Sequence, residues 1–464
     1  MECEAAEICT GAAMTATARK IEARKDWNTL IREVISGAWR DPETGKRCAV
    51  PFETIRIEET LEGGAADLVA PLKLGRRLAV VSDSNTLEAM GRRVARELKG
   101  WASVEELVFP PDTHCDEPTV AVMREKTRHV DGIAVVGSGS LTDTVRYSLT
   151  GDPRNFASFA TAASMNGYGA GTASVTLANG YKTSLAAKAP RGVFVDLAVN
   201  AAAPSWLSAA GLGDSLCRPV AQVDWWASHR LFGKAYSKTP YDLFLVENDE
   251  AEMIRTAPGL KTGSIEAHGY LCRVMVEAAF GNNITGTSMP GSMGEHQVSH
   301  WIDMFAGDAH PGTIHGQQVG VASIAMARLH AMLFNLSRAP RVKPTRIDRT
   351  DFEARYGTEL GGMMFAEASK KTLDARGADA FNARLEAIWP ELRAECQAFM
   401  MPADEIARII ASAGGPTSAT ELGLSRDLWR KAMKGARDVR NRWSFLDLAD
   451  DAGLLDDFLL NDPQ

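Results

Sequence analysis

The chain has 464 residues, with 51 Lys+Arg against 59 Asp+Glu, a formal net charge of −8 and 45 % hydrophobic residues. That apolar content offsets chain entropy and excludes a disordered chain. The acidic balance, without a long basic run, argues against nucleic acid as the main partner, because phosphate backbones need a Lys/Arg surface.

The length exceeds what one hydrophobic core usually organises, so two domains are expected. The first residues, MECEAAEICTGAAMTATARK, put acids where a secretory leader wants lysines and hold no long apolar core. No apolar run long enough to span a membrane occurs. Seven cysteines (Cys3, Cys9, Cys48, Cys115, Cys217, Cys272, Cys396) form no CxxC pair and have no regular spacing, which fits reduced thiols in a cytoplasmic protein.

Residues 1–50 are weakly patterned. One amphipathic helix is expected between Trp27 and Trp39, in an extension that packs on the body or carries an interface. From about residue 51 the pattern changes to strand, turn, helix. Arg77–Asp83 reads as a buried strand and Thr86–Leu98 as a helix. Val104–Phe109 and Glu117–His129 repeat the pair, and Gly132–Gly137 is a third strand. Such alternation implies a parallel sheet with crossover helices. Asn179-Gly180, between alternating residues, predicts a β-hairpin. Beyond about residue 200 strand signals nearly vanish, and helices joined by Gly/Pro loops follow. The expected units are therefore an extension (1–50), an α/β domain (51–203) and an all-α domain (204–464).

Gly137, Ser138, Gly139 and Ser140 lie between a strand and a helix, followed by Asp143. Two glycines let a ligand approach the backbone, and the helix start offers free N–H groups to a pyrophosphate. The six-residue dinucleotide fingerprint is incomplete, since Thr142 stands at its third glycine. A tight structural turn is the competing reading. Asp83, ending the first strand, suits ribose hydroxyls, which would favour NAD over NADP; it equally suits a helix N-cap.

Four of the nine histidines fall within one short stretch: His296, His300, His310 and His315. His296 and His300 are four apart and share a helix face. Clustered imidazoles suit a divalent metal, where a single one is usually a core histidine. An oxygen ligand is expected from elsewhere, and Asp214 in AAGLGDS is a candidate at a probable helix start, where an N-cap role competes.

GSGSLTD, TAASMNGYGAGTAS, NGYKTSLAAKAPRGVFVDLAV, AAGLGDSLCRPVAQVDW, EHQVSH, HGQQVG and the tail VRNRWSFLDLADDAGLLDDF occur in that order. Together they resemble the sn-glycerol-1-phosphate dehydrogenase family, within the superfamily of glycerol dehydrogenases, iron-containing alcohol dehydrogenases and dehydroquinate synthases. The resemblance implies a dehydroquinate synthase-like fold, with a Rossmann-like parallel sheet followed by a helical domain and an active site in the cleft. It implies a metal held by Asp214, His296 and His315, zinc foremost with iron or nickel as alternatives. His300 would face the substrate, and Asp83, Gly137 to Asp143 and Thr161 to Ser164 would line NAD.

Two departures concern the substrate. Asn166 stands where the family has a substrate-contacting Asp, and Ser288-Met-Pro-Gly-Ser-Met293 lacks the family's Arg. The expected activity is metal-dependent, NAD-linked interconversion of a secondary alcohol, a polyol or polyol phosphate, and its ketone. His300 would relay the proton and Asn166 contact the substrate. Lys182, Lys188 or Arg218 would meet a substrate anion, surface solvation being the competing fate of the lysines. A dehydroquinate-synthase-like elimination is the alternative chemistry. A non-catalytic relative is disfavoured because all three ligand candidates are present. A small-molecule partner and a homo-oligomer are expected.

Overall fold

Apolar runs of five to seven residues, buried on both faces, build the centre of the sheet, and its two edge strands are more polar and partly exposed. In the computed structural model the strands are β1 (Thr54–Glu58), β2 (Arg77–Asp83), β3 (Ser103–Phe109), β4 (Gly132–Gly137), β5 (Asn155–Ala160) and β8 (Gly192–Asp196). They form one sheet in the order β1-β8-β5-β4-β2-β3, with every pairing parallel. Between β5 and β8 the chain makes the expected hairpin from β6 (Thr172–Thr176) and β7 (Lys182–Ala186), with Gly180 at φ +84° in the turn. The structure describes residues 26–42, 44–246 and 248–464; the acidic N-terminus with Cys3 and Cys9 lies outside them. The five described cysteines are free and buried.

Side chains alternate across the strands. Leu78, Val80, Ala134, Val136 and Phe159 pack with Met90, Val94 and Leu98 on one face. Ala79, Val81, Ile133 and Val135 pack with Met123, Leu141 and Val145 on the other. The strand order reverses between β2 and β4, where Leu78–Val81 pair with Gly132–Val135. In doubly wound sheets the crevice outside such strand ends receives ligands, and here it lies between Asp83 and Gly137.

Asp131 fixes the register at the far end of this pair. Its carboxylate accepts from Arg76 N (3.0 Å), Arg77 N (2.9 Å) and the Arg77 guanidinium (2.7 Å). Those bonds, the Arg77 side chain first, hold the carboxyl down to about 2 from its usual 3.8. A depressed carboxylate stabilises the fold above its unfolded pKa, and the gain disappears as pH falls through the folded one. Asp131→Asn should therefore lower the urea midpoint at pH 6, and the difference from wild type should close towards pH 2. Equal midpoints at pH 6 would refute this role.

Of the extension, α1 (Thr29–Ser36) is shorter than the Trp27–Trp39 span expected, ending at Gly37 with φ +70°. Leu30, Ile31 and Val34 bury its apolar face in the largest core cluster. Among the described residues beyond 203 the regular elements are all helical. The helices that matter for the site are α3 (Ser205–Ser215), α4 (Gly294–Phe305) and α5 (His315–Phe334), preceded in the chain by α2 (Gly139–Ser148) at the end of β4. The largest core cluster joins β1, β5 and β8 (Ile57, Ala160, Val195) directly to these helices (Leu212, Val298, Val321). Among the described residues no helix is long and apolar enough to cross a membrane.

Candidate active site

Three helices bring the proposed ligands together. Asp214 lies in the last turn of α3, not at a helix start as its glycines suggested. Gly211 and Gly213 are inside the helix, where they let other backbones approach. A Cβ on Gly211 would stand 2.0 Å from Ala163 O, and one on Gly213 would stand 2.5 Å from Gly316 O. His296 is on the first turn of α4, and His315 begins α5. One ligand atom from each of Asp214, His296 and His315 lies within 4.8 Å of the others. His296 Nε2 stands 3.4 Å from Asp214 Oδ1. Two ligands bound at ~2.0–2.1 Å in tetrahedral geometry would be about 3.3 Å apart.

The donor chemistry fits a cation. Asp214 Oδ1 is buried and makes no hydrogen bond within the described residues. His296 Nδ1 lies 2.8 Å from Glu295 Oε1, so the ring donates there and aims its Nε2 at Asp214. Ser299 Oγ donates to Gln318 Oε1 (2.7 Å) and accordingly accepts from His315 Nδ1 (2.9 Å). Gln318 is oriented in turn because its Nε2 donates to Asp303 Oδ1 at 3.1 Å. Lys182 Nζ on β7 pairs with Asp303 Oδ2 at 2.5 Å. His315 thus presents Nε2 as an acceptor, and His296 offers its Nε2 once the proton there is displaced, the tautomer a metal ligand needs. Cys217 converges with Glu295 and His296 as well. Its thiol, however, faces Gly291 O at 3.2 Å, and Glu295 supports His296.

Electrostatics divide the imidazoles. Burial works against a charge on His296, but Asp214 and Glu295 on either side raise it to about 9. Burial and the neighbouring His296 lower His315 to about 4. Burial, then the Arg440 charge, push His300 well below its usual value. Asp214 is also buried, yet the flanking imidazoles hold it below the usual carboxylate range.

The other expected site residues are distributed as follows. His300 shares α4 with His296, its ring centroid 5.5 Å from that of His315. Its Nε2 meets Arg440 at 3.1 Å. A guanidinium only donates, so Nε2 accepts and Nδ1 carries the ring proton, which is a poor arrangement for the expected proton relay. Asn166 is tied to Asp214. Its N–H donates to Asp214 Oδ2 (2.8 Å), its Nδ2 donates to Asp214 O (3.0 Å), and its Oδ1 accepts from Ser215 Oγ (3.1 Å). The ionised carboxylate of an Asp could not donate to Asp214 O, so the amide here suits a positioning role.

At the nucleotide end, Asp83 caps the following helix, its Oδ1 accepting from Asn85 N (2.9 Å) and Thr86 N (2.8 Å). Ser138 caps α2 by backbone alone, without a side-chain cap bond. Met165 occupies the space a Gly139 side chain would fill. Thr161 N donates to Gly137 O at 3.3 Å, which sets the Thr161–Ser164 segment beside the turn; Ser164 Oγ lies 3.4 Å from Tyr168 Oη. Asp143 points elsewhere, pairing with Arg146 at 3.2 Å and accepting from Ser174 N on β6 at 2.9 Å.

Neither lysine is simply solvated. Lys182 belongs to Asp303, Lys188 Nζ donates to the carbonyls of Asp152 and Arg154, and Arg218 pairs with Glu250. His310 Nε2 lies 3.1 Å from Asp303 Oδ1, outside the ligand cluster. Sequence reading missed Glu295, which is adjacent to the histidine it holds, and Ser299 and Gln318, which reach His315 across the packing of two helices. It also missed Arg440, for which no local signal exists.

A family model described as iron-containing alcohol dehydrogenase matches residues 56–204. The NAD(P)+ glycerol-1-phosphate dehydrogenase of Methanoculleus marisnigri is 33 % identical over 260 residues, covering 56 % of this chain and 70 % of that protein. The chain belongs to the glycerol-1-phosphate dehydrogenase family. The enzyme of that name from Bacillus velezensis is 27 % identical over 412 residues, 86 % of this chain and 93 % of that one. Among solved structures, a probable glycerol dehydrogenase from Sinorhizobium meliloti 1021 has a TM-score of 0.58 at 17 % identity, covering 89 % of this chain and 98 % of that chain. Sulfoacetaldehyde reductase from Bifidobacterium kashiwanohense, solved with NAD+, has a TM-score of 0.54 at 15 % identity, covering 89 % and 97 %. These likenesses show the same fold. As a member of the glycerol-1-phosphate dehydrogenase family, the chain is an NAD(P)-dependent alcohol dehydrogenase of the metal-dependent, iron-containing class, interconverting an alcohol and its ketone.

Proposed function

We propose that the protein oxidises the secondary hydroxyl of a glycerol-1-phosphate-like polyol phosphate with NAD, and that Asp214, His296 and His315 hold one divalent cation. One carboxylate and two imidazoles suit zinc, with iron or nickel also accommodated. The observation that carries this reading is the convergence of Asp214 Oδ1 with two imidazoles whose Nδ1 atoms are already committed to Glu295 and Ser299.

A cation bound there supplies Lewis acidity that lowers the pKa of a substrate hydroxyl. The chain's own groups do the rest. Asp214 supplies the negative charge of the ligand set, and Asn166 holds it in place. His300 presents Nδ1–H as a donor to a substrate oxygen. The turn at Gly137–Ser140 faces the pyrophosphate with the free N–H groups of α2. Asp83 Oδ1 is occupied by capping, and the carboxylate's charge disfavours a 2′-phosphate, which supports NAD over NADP. The overall reaction moves two electrons and one hydrogen from the carbinol carbon to nicotinamide and releases the hydroxyl proton to water.

Removing metal with a chelator should abolish NADH formation from glycerol 1-phosphate, and adding back zinc, iron or nickel should restore it. Full activity in metal-free protein would refute the assignment. Substrate consumption without accumulating NADH would point to the elimination chemistry instead.

A further inference from the structure

The C-terminal segment VRNRWSF places buried Arg440 two positions before half-buried Arg442, and they have different surroundings. Arg442 is committed to the Ser288–Ser292 loop, donating to Ser292 O (2.5 Å) and Ser288 Oγ (2.8 Å). The nearby Arg437 faces Asp447, Asp450 and Asp451. Arg440 is 8 % exposed. Its side-chain hydrogen bond goes to the neutral acceptor His300 Nε2. Among the described residues no carboxylate pairs with it. A buried guanidinium without a counter-charge is one of the costliest groups a protein can hold, unless something anionic arrives to neutralise it.

His300 extends the same feature. The bond from Arg440 fixes its proton on Nδ1, and that atom is buried with no protein partner. The ring lies against His315. A cationic fork and an unused N–H donor therefore stand one imidazole away from the ligand cluster. The other basic groups expected to meet an anion, Lys182, Lys188 and Arg218, already have partners.

We infer that Arg440 is the group that receives the phosphate of the polyol phosphate proposed above, at the end remote from the hydroxyl oxidised at the Asp214–His296–His315 cluster. This deepens the dehydrogenase reading and rests on it for the alcohol end of the substrate. A planar fork binds two oxygens of a phosphate at once. Arg440 is thus a specificity-determining residue, and His300 is held between it and the metal ligands.

The test uses metal-loaded, NAD-saturated protein, so that the pyrophosphate end is filled. The probes are glycerol, glycerol 1-phosphate and inorganic phosphate. Arg440→Gln keeps a donor for His300 Nε2 but removes the charge. It should lower the ratio of kcat/KM for glycerol 1-phosphate over glycerol by about 100-fold, chiefly through KM, since two charge-assisted bonds are lost. Inorganic phosphate should raise the Tm of the wild type and inhibit competitively, and both effects should vanish in Arg440→Gln. Arg440→Lys should keep part of each. An unchanged ratio, or equal protection by phosphate in both proteins, overturns the inference. If the wild type oxidises neither polyol, the dehydrogenase reading fails, and phosphate protection still decides Arg440. If Arg440→Gln does not fold, a wild type indifferent to phosphate, or an Arg440→Lys variant with an unaltered ratio, overturns the proposal.

Discussion

His296→Ala should strip the protein of bound metal and lower kcat by at least about a thousandfold. A four-ligand structural zinc site is worth ~10–16 kcal/mol, so one ligand accounts for about 3–4 kcal/mol, or two to three orders of magnitude in affinity. Catalysis loses more, because the remaining cation would be misplaced. The variant also leaves Asp214 and Glu295 buried without the imidazole between them, and an unneutralised buried charge costs several kcal/mol. Its metal-free form should therefore melt lower than metal-free wild type. Asp214→Asn should lose metal comparably without that penalty. Metal content by elemental analysis, with melting curves of both metal-free variants, checks the pair. Retention of one equivalent of metal by either would remove the site assignment.

The sign of the pH effect follows from the same contacts. Burial opposes a charge on His296, but Asp214 and Glu295 raise it to about 9, while His315 sits near about 4. In the metal-free chain His296 therefore holds a proton at neutral pH and His315 does not. A cation must displace that proton, so its affinity should rise about tenfold per pH unit up to about pH 9 and then level off. Calorimetric titration in buffers of different ionisation enthalpy would count the proton released, and a count of zero at pH 7 would contradict this protonation pattern.

Gly316→Ala should cost about 3 kcal/mol or more and uncouple the ligands, although glycine to alanine in an open helix interior ordinarily gains up to ~1 kcal/mol. The sign reverses because a Cβ at Gly316 would lie 2.2 Å from Ala210 O and 2.7 Å from Ala210 C. Both are backbone atoms of α3, so no rotamer change relieves the clash; the helices must move apart, and overpacking of this kind is costly. Gly213 and Gly320 meet at the same crossing, with a Cβ on Gly320 only 3.1 Å from Gly213 Cα. Since α3 carries Asp214 and α5 carries His315, separation should weaken metal binding even at temperatures where the variant is folded. Gly362→Ala is the control. Its Cβ would meet only the flexible ends of Arg349 at 3.3 Å and Glu353 at 3.9 Å, so it should be neutral or mildly stabilising. Equal melting temperatures for the two variants would show that the crossing is not backbone-tight.

The departures from sequence expectation share one cause. Asp214 looked like the start of a helix because glycines precede it, yet those glycines serve contacts with residues far along the chain, at Ala163 and Gly316. Lys182 and Lys188 looked solvated because nothing nearby in sequence opposes their charge; Asp303 and two backbone carbonyls do so across the fold. Asp143, grouped with the nucleotide turn by proximity, faces the hairpin instead.

Periodicity and local turn chemistry were enough to place β2, β3 and β4, though not β1, β5 or β8, and also the Asn179-Gly180 hairpin, the helical second half and the clustering of His296, His300 and His315, because each depends on residues close together in the chain. Which nitrogen His300 offers, what holds Asp214, and the burial of Arg440 without a carboxylate depend on groups separated by dozens of residues. Only the packing of α3, α4 and α5, with α3 and α5 brought into backbone contact by glycines, sets those distances.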